Sequence, residues 1–211
     1  PAGGLSRSYS LASSEADDHL LFHIRLLPDG KMSSWIGENL KEGESVLISD
    51  AMGDCCYRET YSERPLLLAG TGTGLAPLYG IIRSAIAAGH RQQIRLLHGG
   101  LNSDDLYYDQ KLRQLAAEHK QITYIPSVLH GPAPEGGLSG SIDALIPAQL
   151  QGDKHWVAYL CGDSAIVSAM RRCCFAQGVD ESSIHCDGFV CNKLTCFGAC
   201  RAKTHAIDDV I

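Results

Sequence analysis

Three glycines separated by two threonines form the segment with the clearest chemical potential. Gly70, Gly72 and Gly74 lie in a run that ends Leu-Ala-Pro at Pro77. Glycine lets a backbone turn tightly and approach a pyrophosphate closely, and the first N–H groups of a following helix attract anions. The run therefore predicts a dinucleotide site. A glycine-rich turn between a strand and a helix, with no ligand, is the alternative.

This glycine run differs from two common phosphate-binding motifs. Leu75 stands where the Rossmann fingerprint would place its third glycine. The run also lacks the Gly-Lys-Ser/Thr of a Walker A loop. The prediction of a dinucleotide site depends on the glycines and on the elements that flank them.

Two short segments before the glycine run carry polar groups of interest. The tetrapeptide Arg7-Ser8-Tyr9-Ser10 offers a guanidinium fork, whose geometry matches phosphate oxygens. The tetrapeptide Gly30-Lys31-Met32-Ser33 leads into a short helical pattern, for which Ser33 is a candidate cap. An ordinary exposed loop and a plain helix cap, respectively, are the alternatives.

Short apolar runs alternate with helical spacing over most of the chain. The pattern predicts strands at 66–69, 94–97, 122–125, 156–160 and 183–186. It predicts helices at 77–88, 106–119, 142–150 and 165–177. Wholly apolar strands are typical of a parallel sheet buried on both faces. We therefore predict an α/β domain with helices on both faces of a parallel sheet.

The first 62 residues have a different character. Strands are predicted at 20–27 and 45–49, and a short helix at 34–40 with Ser33 as its cap. The sequence accordingly predicts a β-rich unit at 1–62, the α/β domain at 63–189 and a cysteine-rich tail at 190–211.

Composition narrows the classes of function. The chain has 211 residues and a net charge of −6, without the basic patch that a nucleic-acid partner would require. No apolar stretch approaches the roughly 20 residues that span a bilayer. Nine cysteines, two pairs of them adjacent, make a poor disulfide framework and favour a reducing cytoplasm.

Together these motifs resemble those of the ferredoxin–NADP⁺ reductase superfamily. The resemblance covers residues 6–189, and four motifs occur in the family's order. It is nearest to the NAD(P)H-dependent flavin reductase components that supply bacterial oxygenases and other iron–sulfur partners. The α/β domain would then bind the nicotinamide nucleotide, and residues 1–62 would be the end of an antiparallel β-barrel that binds FAD.

The resemblance assigns the flavin site to the two early tetrapeptides. Arg7 would pair with the FAD pyrophosphate, Tyr9 would pack on the isoalloxazine, and Ser10 would bond near flavin N5. Ser8 lies within the same motif. In the second motif, the backbone N–H groups of Lys31 and Met32 and the Ser33 hydroxyl would bind the FAD phosphates.

The resemblance places the nicotinamide nucleotide on the glycine run and on a later Cys-Gly motif. In the latter, Cys161 would lie beside nicotinamide C4, and with Ser10 it would be a catalytic residue. Phe189, which closes the last strand after the acid Asp187, would cover the isoalloxazine until the nicotinamide displaces it. The cofactor-binding residues of the nicotinamide side are Gly70, Thr71, Gly72, Thr73, Gly74, Pro77, Cys161, Gly162 and Asp163.

Three features depart from the family pattern. Only six residues precede Arg7, where family members have several barrel strands, so we expect the natural protein to be longer at its N-terminus. The usual Gly-Pro turn after the barrel is replaced by 50–53. Leu101 replaces a frequent arginine, and Asp104 follows soon after with Asp105. Carboxylates there favour NADH over NADPH, since they repel a 2′-phosphate.

The tail cysteines are candidate metal ligands without an established metal. Their spacing does not match the plant-type iron–sulfur pattern, so a cluster, zinc and uncoordinated thiols stay open. The adjacent pairs Cys55-Cys56 and Cys173-Cys174 lack ligand spacing and are interpreted as packing residues. The four candidates are Cys186, Cys191, Cys196 and Cys200.

The sequence thus predicts an oxidoreductase that passes hydride from NADH or NADPH to FAD and then single electrons to an iron–sulfur or haem acceptor. The expected partner is a redox protein, a ferredoxin or an oxygenase component. Two alternatives stay open. One is a non-catalytic electron-transfer subunit with an iron–sulfur cluster in its tail, and the other is an NAD(H)-binding sensor without flavin.

Overall fold

The computed structural model describes residues 6–151 and 154–189 and the backbone of 204–206. Eight strands occur in these residues: β1 (His23–Arg25), β2 (Leu66–Thr71), β3 (Ile94–Gly100), β4 (Ile122–Val128), β5 (Leu138–Ser139), β6 (Val157–Asp163), β7 (Ile184–Phe189) and β8 (Thr204–Ala206). The five α-helices are α1 (Lys31–Glu38), α2 (Leu75–Ala87), α3 (Asp109–Glu118), α4 (Ile142–Leu150) and α5 (Ser164–Ala176).

Six strands form one parallel sheet in the order β5-β4-β3-β2-β6-β7. Its two faces are covered by different helices, as the alternation of side chains along β2 makes clear. Leu66 and Leu68 lie in one buried cluster with residues of α2 and α3. Leu67 and Ala69 lie in the other, with residues of α4 and α5. The predicted α/β domain with a doubly covered parallel sheet is confirmed.

The order of the strands creates a crevice at one position in the sheet. From β2 the chain adds β3, β4 and β5 on one side, and it then returns to add β6 and β7 on the other. The connection that follows β2 and the connection that follows β6 therefore run toward opposite edges of the sheet. Open α/β sheets bind ligands at the carboxyl ends of such strands. In this chain those ends carry Thr71 and Cys161-Gly162-Asp163.

The first part of the chain contains less regular structure than predicted. Of the predicted strand at 20–27, only His23–Arg25 is a strand, paired antiparallel with β8, while Phe22 forms a single bridge with Leu11. Residues 45–49 are not a strand, and this prediction was wrong. Leu47 is fully exposed. Among the described residues, no neighbouring strand pairs with the apolar run at 46–48 to stabilise an extended backbone.

The short helix α1 also begins differently from the prediction. It starts at Lys31 with Gly30 as its cap residue, so the predicted cap at Ser33 was wrong. The buried Ser33 hydroxyl accepts from the Leu27 N–H and donates to the Gly30 carbonyl. Ser33 therefore stabilises the turn that leads into α1 from inside the helix.

Within the described part of the chain, no helix is long and apolar enough to cross a membrane.

Candidate functional site

The glycine run lies directly against the end of β6. Gly70 on β2 pairs in register with Cys161 on β6. A Cβ built on Gly74 would lie 2.5 Å from the Cys161 carbonyl oxygen and 2.7 Å from the Gly162 nitrogen. Both of those atoms belong to the backbone and cannot turn away, so only glycine fits at position 74. The close contact fixes the turn that starts α2 beside the crevice.

The outer side of the run is open and faces a cation. A Cβ on Gly72 would meet only the Arg25 Nη1, at 3.9 Å. Arg25 is exposed at the end of β1. Thr73 is half-buried, and Pro77 is buried in the first turn of α2. A guanidinium beside a helix N-terminus is an arrangement that suits a phosphate.

The Cys-Gly motif at the end of β6 is shaped by its backbone. Gly162 has a φ of 131°, in the region that favours glycine, and a Cβ there would lie 2.6 Å from the Thr71 Oγ1. Asp163 is exposed and caps α5, accepting hydrogen bonds from the N–H groups of Ala165 and Ile166. The predicted residue Asp163 therefore has a structural role in holding the start of α5.

Cys161 is fully buried, and its sulfur lies 3.6 Å from the sulfur of Cys55. The hydrogen bond with Cys55, together with burial, raises the pKa of the Cys161 thiol well above its usual value. Cys161 is therefore a neutral thiol at physiological pH. A neutral sulfur can pack against a ligand without adding a charge to the crevice.

The beginning and the end of the described chain meet at this crevice. The Ser10 hydroxyl donates to the Asp187 carboxylate at 2.8 Å, across 177 residues of sequence. Asp187 on β7 is in turn the register partner of Cys161 on β6. Ser10, Asp187 and Cys161 therefore converge on the carboxyl end of the sheet, and this brings together the two residues predicted as catalytic.

The rest of the first predicted flavin motif lies at the surface. Arg7 and Ser8 are exposed, and the Arg7 guanidinium donates to the Ser6 carbonyl. Tyr9 is half-buried, and burial raises the pKa of its hydroxyl. Phe189, which ends β7, is half-buried and is the register partner of Asp163. An exposed guanidinium and partly covered rings are compatible with a flavin, which needs a cation and apolar faces.

The second predicted flavin motif fits a phosphate less completely. Lys31 is exposed and Met32 half-buried in the first turn of α1. Their backbone N–H groups belong to the unpaired N-terminal donors of a helix. The Ser33 hydroxyl, however, already donates to the Gly30 carbonyl. A phosphate here would depend on backbone donors and on the Lys31 ammonium.

The comparisons with known proteins agree with this geometry. Residues 68–172 match the sequence model of an oxidoreductase NAD-binding domain. The ferredoxin–NAD(P)(+) reductase component of a naphthalene 1,2-dioxygenase system from Pseudomonas putida is 35% identical over 184 residues, 87% of this chain and 56% of that protein. The reductase subunit of an aromatic O-demethylase from Amycolatopsis is 31% identical over 90% of this chain and 58% of its own length. The chain belongs to the ferredoxin–NADP⁺ reductase superfamily.

Solved structures of superfamily members share the fold. A cytochrome P450 reductase from Amycolatopsis superposes with a TM-score of 0.76 at 28% identity, over 90% of this chain and 58% of that one. A ferredoxin reductase of carbazole 1,9a-dioxygenase superposes with a TM-score of 0.76 at 26% identity, over 89% of this chain and 56% of that one. The chain thus spans little more than half the length of these relatives.

Three residues of the site were not among the predicted functional residues. The sequence indicates Asp187 only as an acid of the last strand, gives no role to Arg25, and favours a packing role for Cys55. The signal for Asp187 was its place beside Phe189 in the superfamily's closing strand. No local signal marks Arg25 or Cys55, since each reaches the crevice from a segment distant in sequence.

The candidate metal ligands are only partly described. Cys186 is exposed on β7, while Cys191, Cys196 and Cys200 lie outside the described residues. Among residues 6–151 and 154–189, no three histidine, cysteine or carboxylate side chains are grouped as a metal site.

Proposed function

We propose that this chain is the nicotinamide-binding part, with the adjoining flavin-binding segment, of an NAD(P)H-dependent FAD oxidoreductase. The observation that carries the proposal is the convergence of Ser10, Asp187 and Cys161 at the crevice beside the glycine run. A nucleotide-binding module without a flavin would not need Ser10 tied to the last strand.

On the nicotinamide side, the chain supplies a rigid surface and positive charge. The turn locked by Gly74 presents the helix N-terminus of α2, and Arg25 adds a guanidinium on its open side. These groups would bind the pyrophosphate. Cys161 would contact the nicotinamide from within the sheet, and its neutral thiol would orient the ring without attracting water.

On the flavin side, the chain supplies one polar contact and a stacking surface. FAD, when bound, accepts a hydride and releases electrons singly, which is chemistry that side chains lack. The Ser10 hydroxyl donates its one proton to the Asp187 carboxylate, so its oxygen would accept a hydrogen bond beside the reacting ring, with its orientation fixed by Asp187. Tyr9 and Phe189 would cover the ring faces, and Arg7 would pair with the pyrophosphate.

The preferred nucleotide in this proposal is NADH. Asp104 is exposed just after β3, while the Asp105 carboxylate accepts from the Asn102 N–H in a local capping arrangement. A carboxylate at the ribose accepts from a 2′-hydroxyl and repels a 2′-phosphate. The Asp104 carboxylate is the group available for this discrimination.

The proposed electron acceptor is an iron–sulfur or haem protein. Relatives that align with 87–90% of this chain, at 31–35% identity, are named as reductase components of dioxygenase and demethylase systems. We propose the same class of partner, a ferredoxin or an oxygenase component. We further propose the cytoplasm as its location, because the unpaired cysteines suit a reducing compartment.

We also propose that residues 1–62, 63–189 and 190–211 are the FAD-barrel segment, the nicotinamide domain and a separate tail. The support is the exposed apolar run at 46–48 and the half-length match to relatives. The barrel would then be completed by chain outside these 211 residues.

The test is a UV–visible spectrum of the purified full-length protein before and after anaerobic addition of NADH. Flavin absorption that bleaches on NADH is the expected result. A flavoprotein that NADH does not reduce, but which carries iron and labile sulfide, would favour the electron-transfer subunit. A colourless protein that binds NADH and loads no FAD would leave only the sensor.

A Ser10→Ala variant tests the flavin side within the same experiment. It is expected to keep its FAD and to be reduced more slowly in a single turnover, by about tenfold, because one hydrogen bond of about 1–1.5 kcal/mol is lost. Ser168→Ala is the matched control, since Ser168 is exposed on α5 and its hydroxyl donates to the Ser164 carbonyl of the same helix. Unchanged reduction of the Ser10 variant would remove Ser10 from the mechanism.

A further inference from the structure

We propose that Cys55 and Cys161 are an oxidation site, at which a hydroperoxide converts two thiols into a disulfide that blocks the nucleotide crevice. The formation of the disulfide stands on the structure alone. Its effect on the crevice rests on the function proposed above.

The two sulfur atoms are already in contact. They lie 3.6 Å apart, so a disulfide of about 2.05 Å requires the sulfurs to approach by about 1.5 Å. Rotations of the two side chains cover a distance of this size. The residues are 106 positions apart in sequence, so their contact is a product of the fold.

The segment that carries Cys55 is held against the sheet by its neighbours. The hydroxyl of the fully buried Tyr159 donates to the Cys56 carbonyl at 3.1 Å. The Tyr57 hydroxyl lies 3.2 Å from the His90 Nδ1. Tyr159 and Cys161 are two residues apart on β6 and therefore point to the same face. The backbone around Cys55 is thus anchored on the face where Cys161 lies.

The difference in burial sets the order of the chemistry. Cys161 is fully buried, whereas Cys55 is half-buried and within reach of solvent. The raised pKa of Cys161 also disfavours the thiolate that attacks a peroxide. Cys55 is therefore the residue that the oxidant meets first.

The proposed reaction has two balanced steps. The Cys55 sulfur attacks one oxygen of the hydroperoxide, the O–O bond breaks, and the products are Cys55 sulfenic acid and an alcohol, or water when the oxidant is hydrogen peroxide. The Cys161 sulfur then attacks the Cys55 sulfur, and its proton leaves with the hydroxide as water. Two thiols are oxidised, and one peroxide is reduced.

The disulfide would disturb the crevice because of what Cys161 contacts. Its carbonyl packs against Gly74, and its register partner is Gly70. A covalent bond to Cys55 would remove the thiol from the surface that receives the nicotinamide and would pull on the backbone that supports the glycine run. NADH affinity is expected to fall by about tenfold or more, a change of about 1.4 kcal/mol.

The site can be read by peptide mapping without any measurement of activity. The purified full-length protein is treated with hydrogen peroxide, remaining thiols are blocked, and the protein is digested with trypsin without reduction. Cleavage after Lys41 and Arg58 releases Cys55 together with Cys56, and cleavage after Lys154 and Arg171 releases Cys161 alone. The expected product is a cross-link of these two peptides that a dithiol reductant separates.

Two serine variants identify the cysteine that reacts. Cys56→Ser is the matched control, an exposed neighbour on the same peptide, and it is expected to form the cross-link. Cys55→Ser is expected to form none. A cross-link that survives in Cys55→Ser, or a wild-type protein whose Cys55 forms only higher oxides, would overturn the proposal.

NADH titration of the oxidised protein tests the effect on the crevice. A cross-linked protein that binds NADH as the reduced protein does would overturn the blocking of the crevice. If the reduced protein itself fails to react with NADH while the cross-link still forms, the proposed reductase function fails and the oxidation site stands.

Discussion

Gly74 is the residue at which the smallest change has the largest expected effect. An added methyl group would meet the Cys161 carbonyl oxygen at 2.5 Å and the Gly162 nitrogen at 2.7 Å. Since both partners are backbone atoms, relief requires α2 to shift away from β6. The whole start of α2 depends on the absence of one side chain.

We predict that Gly74→Ala lowers the free energy of unfolding by about 1–3 kcal/mol, the usual cost of overfilling a packed site. It should also weaken NADH binding, because the N-terminus of α2 moves. Gly188→Ala is the control, as its new Cβ would meet only Ser164 at 3.4 Å, an ordinary contact. Urea unfolding of both variants measures the difference, and equal stability would contradict the assigned clash.

At the scale of elements, a buried polar network ties α3 to the sheet. The Tyr124 hydroxyl on β4 donates to the Asp109 carboxylate at the start of α3. The only hydroxyl proton of Tyr124 is thereby used, so its oxygen accepts from the His98 Nδ1 at 3.3 Å. His98 Nε2 is then the unprotonated nitrogen, and among the described residues no hydrogen-bond partner meets it.

This network predicts a loss of stability in mild acid. Burial lowers the pKa of His98 to about 4, from about 6.5 in the unfolded chain. Between these values the unfolded chain binds a proton that the folded chain does not. Stability is therefore full above about pH 6.5 and falls as the pH drops toward 4, by about 3 kcal/mol from His98.

Denaturant unfolding at about pH 7 and about pH 4 measures this loss. His98→Gln is expected to be less stable at neutral pH and to lose less on acidification, because no imidazole remains to be charged. His130→Gln, which removes an exposed histidine, should keep the wild-type profile. Parallel curves for wild type and His98→Gln would show that His98 does not contribute.

Strands made almost wholly of apolar residues could be predicted from the sequence. The runs in β2, β3, β4 and β6 are buried on both faces and needed no further information. The predicted strand at 45–49 has an apolar run of three residues at 46–48 and is not a strand. A strand exists only with a hydrogen-bonded neighbour, and the sequence of one segment does not show whether that neighbour is present.

The ends of helices were predicted less accurately, because they depend on the backbone conformation of single residues. The predicted helix at 106–119 begins at Asp109, because Tyr108 has a φ of 64° and cannot continue a right-handed helix. Leu106 before it is buried in the core outside any helix. An apolar period alone cannot separate a helical residue from a buried residue that precedes the helix.

In the site, too, residues that belong to a local sequence motif could be predicted, whereas residues that join the site through distant contacts could not. The glycine run and the Cys-Gly motif are each one continuous stretch of sequence, and the two stretches do meet at the crevice. Asp187, Arg25 and Cys55 belong to the site through contacts that span tens to hundreds of residues. Their roles became visible only when the strands were placed in order.

At the scale of the whole molecule, four of the nine large apolar side chains that are exposed among the described residues lie in one segment, 46–52. Leu47 is 104% exposed, Ile48 59% and Met52 86%. Exposed apolar patches mark surfaces that another element or molecule covers. The proposed completion of a barrel by further chain would bury this segment.

We predict that Leu47→Glu changes the unfolding free energy of the 211-residue chain by less than about 0.5 kcal/mol, as at most exposed positions. Leu67→Ala, at a fully buried position of β2, is the contrast and should cost about 2–5 kcal/mol. In the full-length protein Leu47→Glu should instead be clearly destabilising. If Leu47→Glu leaves the stability of both the 211-residue chain and the full-length protein unchanged, the proposed barrel is contradicted.

The hydrogen bond from Ser10 to Asp187 also governs when the crevice can exist during synthesis. Ser10 is made 177 positions before its partner Asp187, which lies on the edge strand β7. At about 5–20 residues per second, a ribosome needs about 10–35 s to cover that interval. A nascent chain would therefore have made β2, α2 and β3 around the glycine run long before the contact of Ser10 with Asp187 could form. In the proposed flavoprotein, cofactor loading would then be a late event in the life of each molecule.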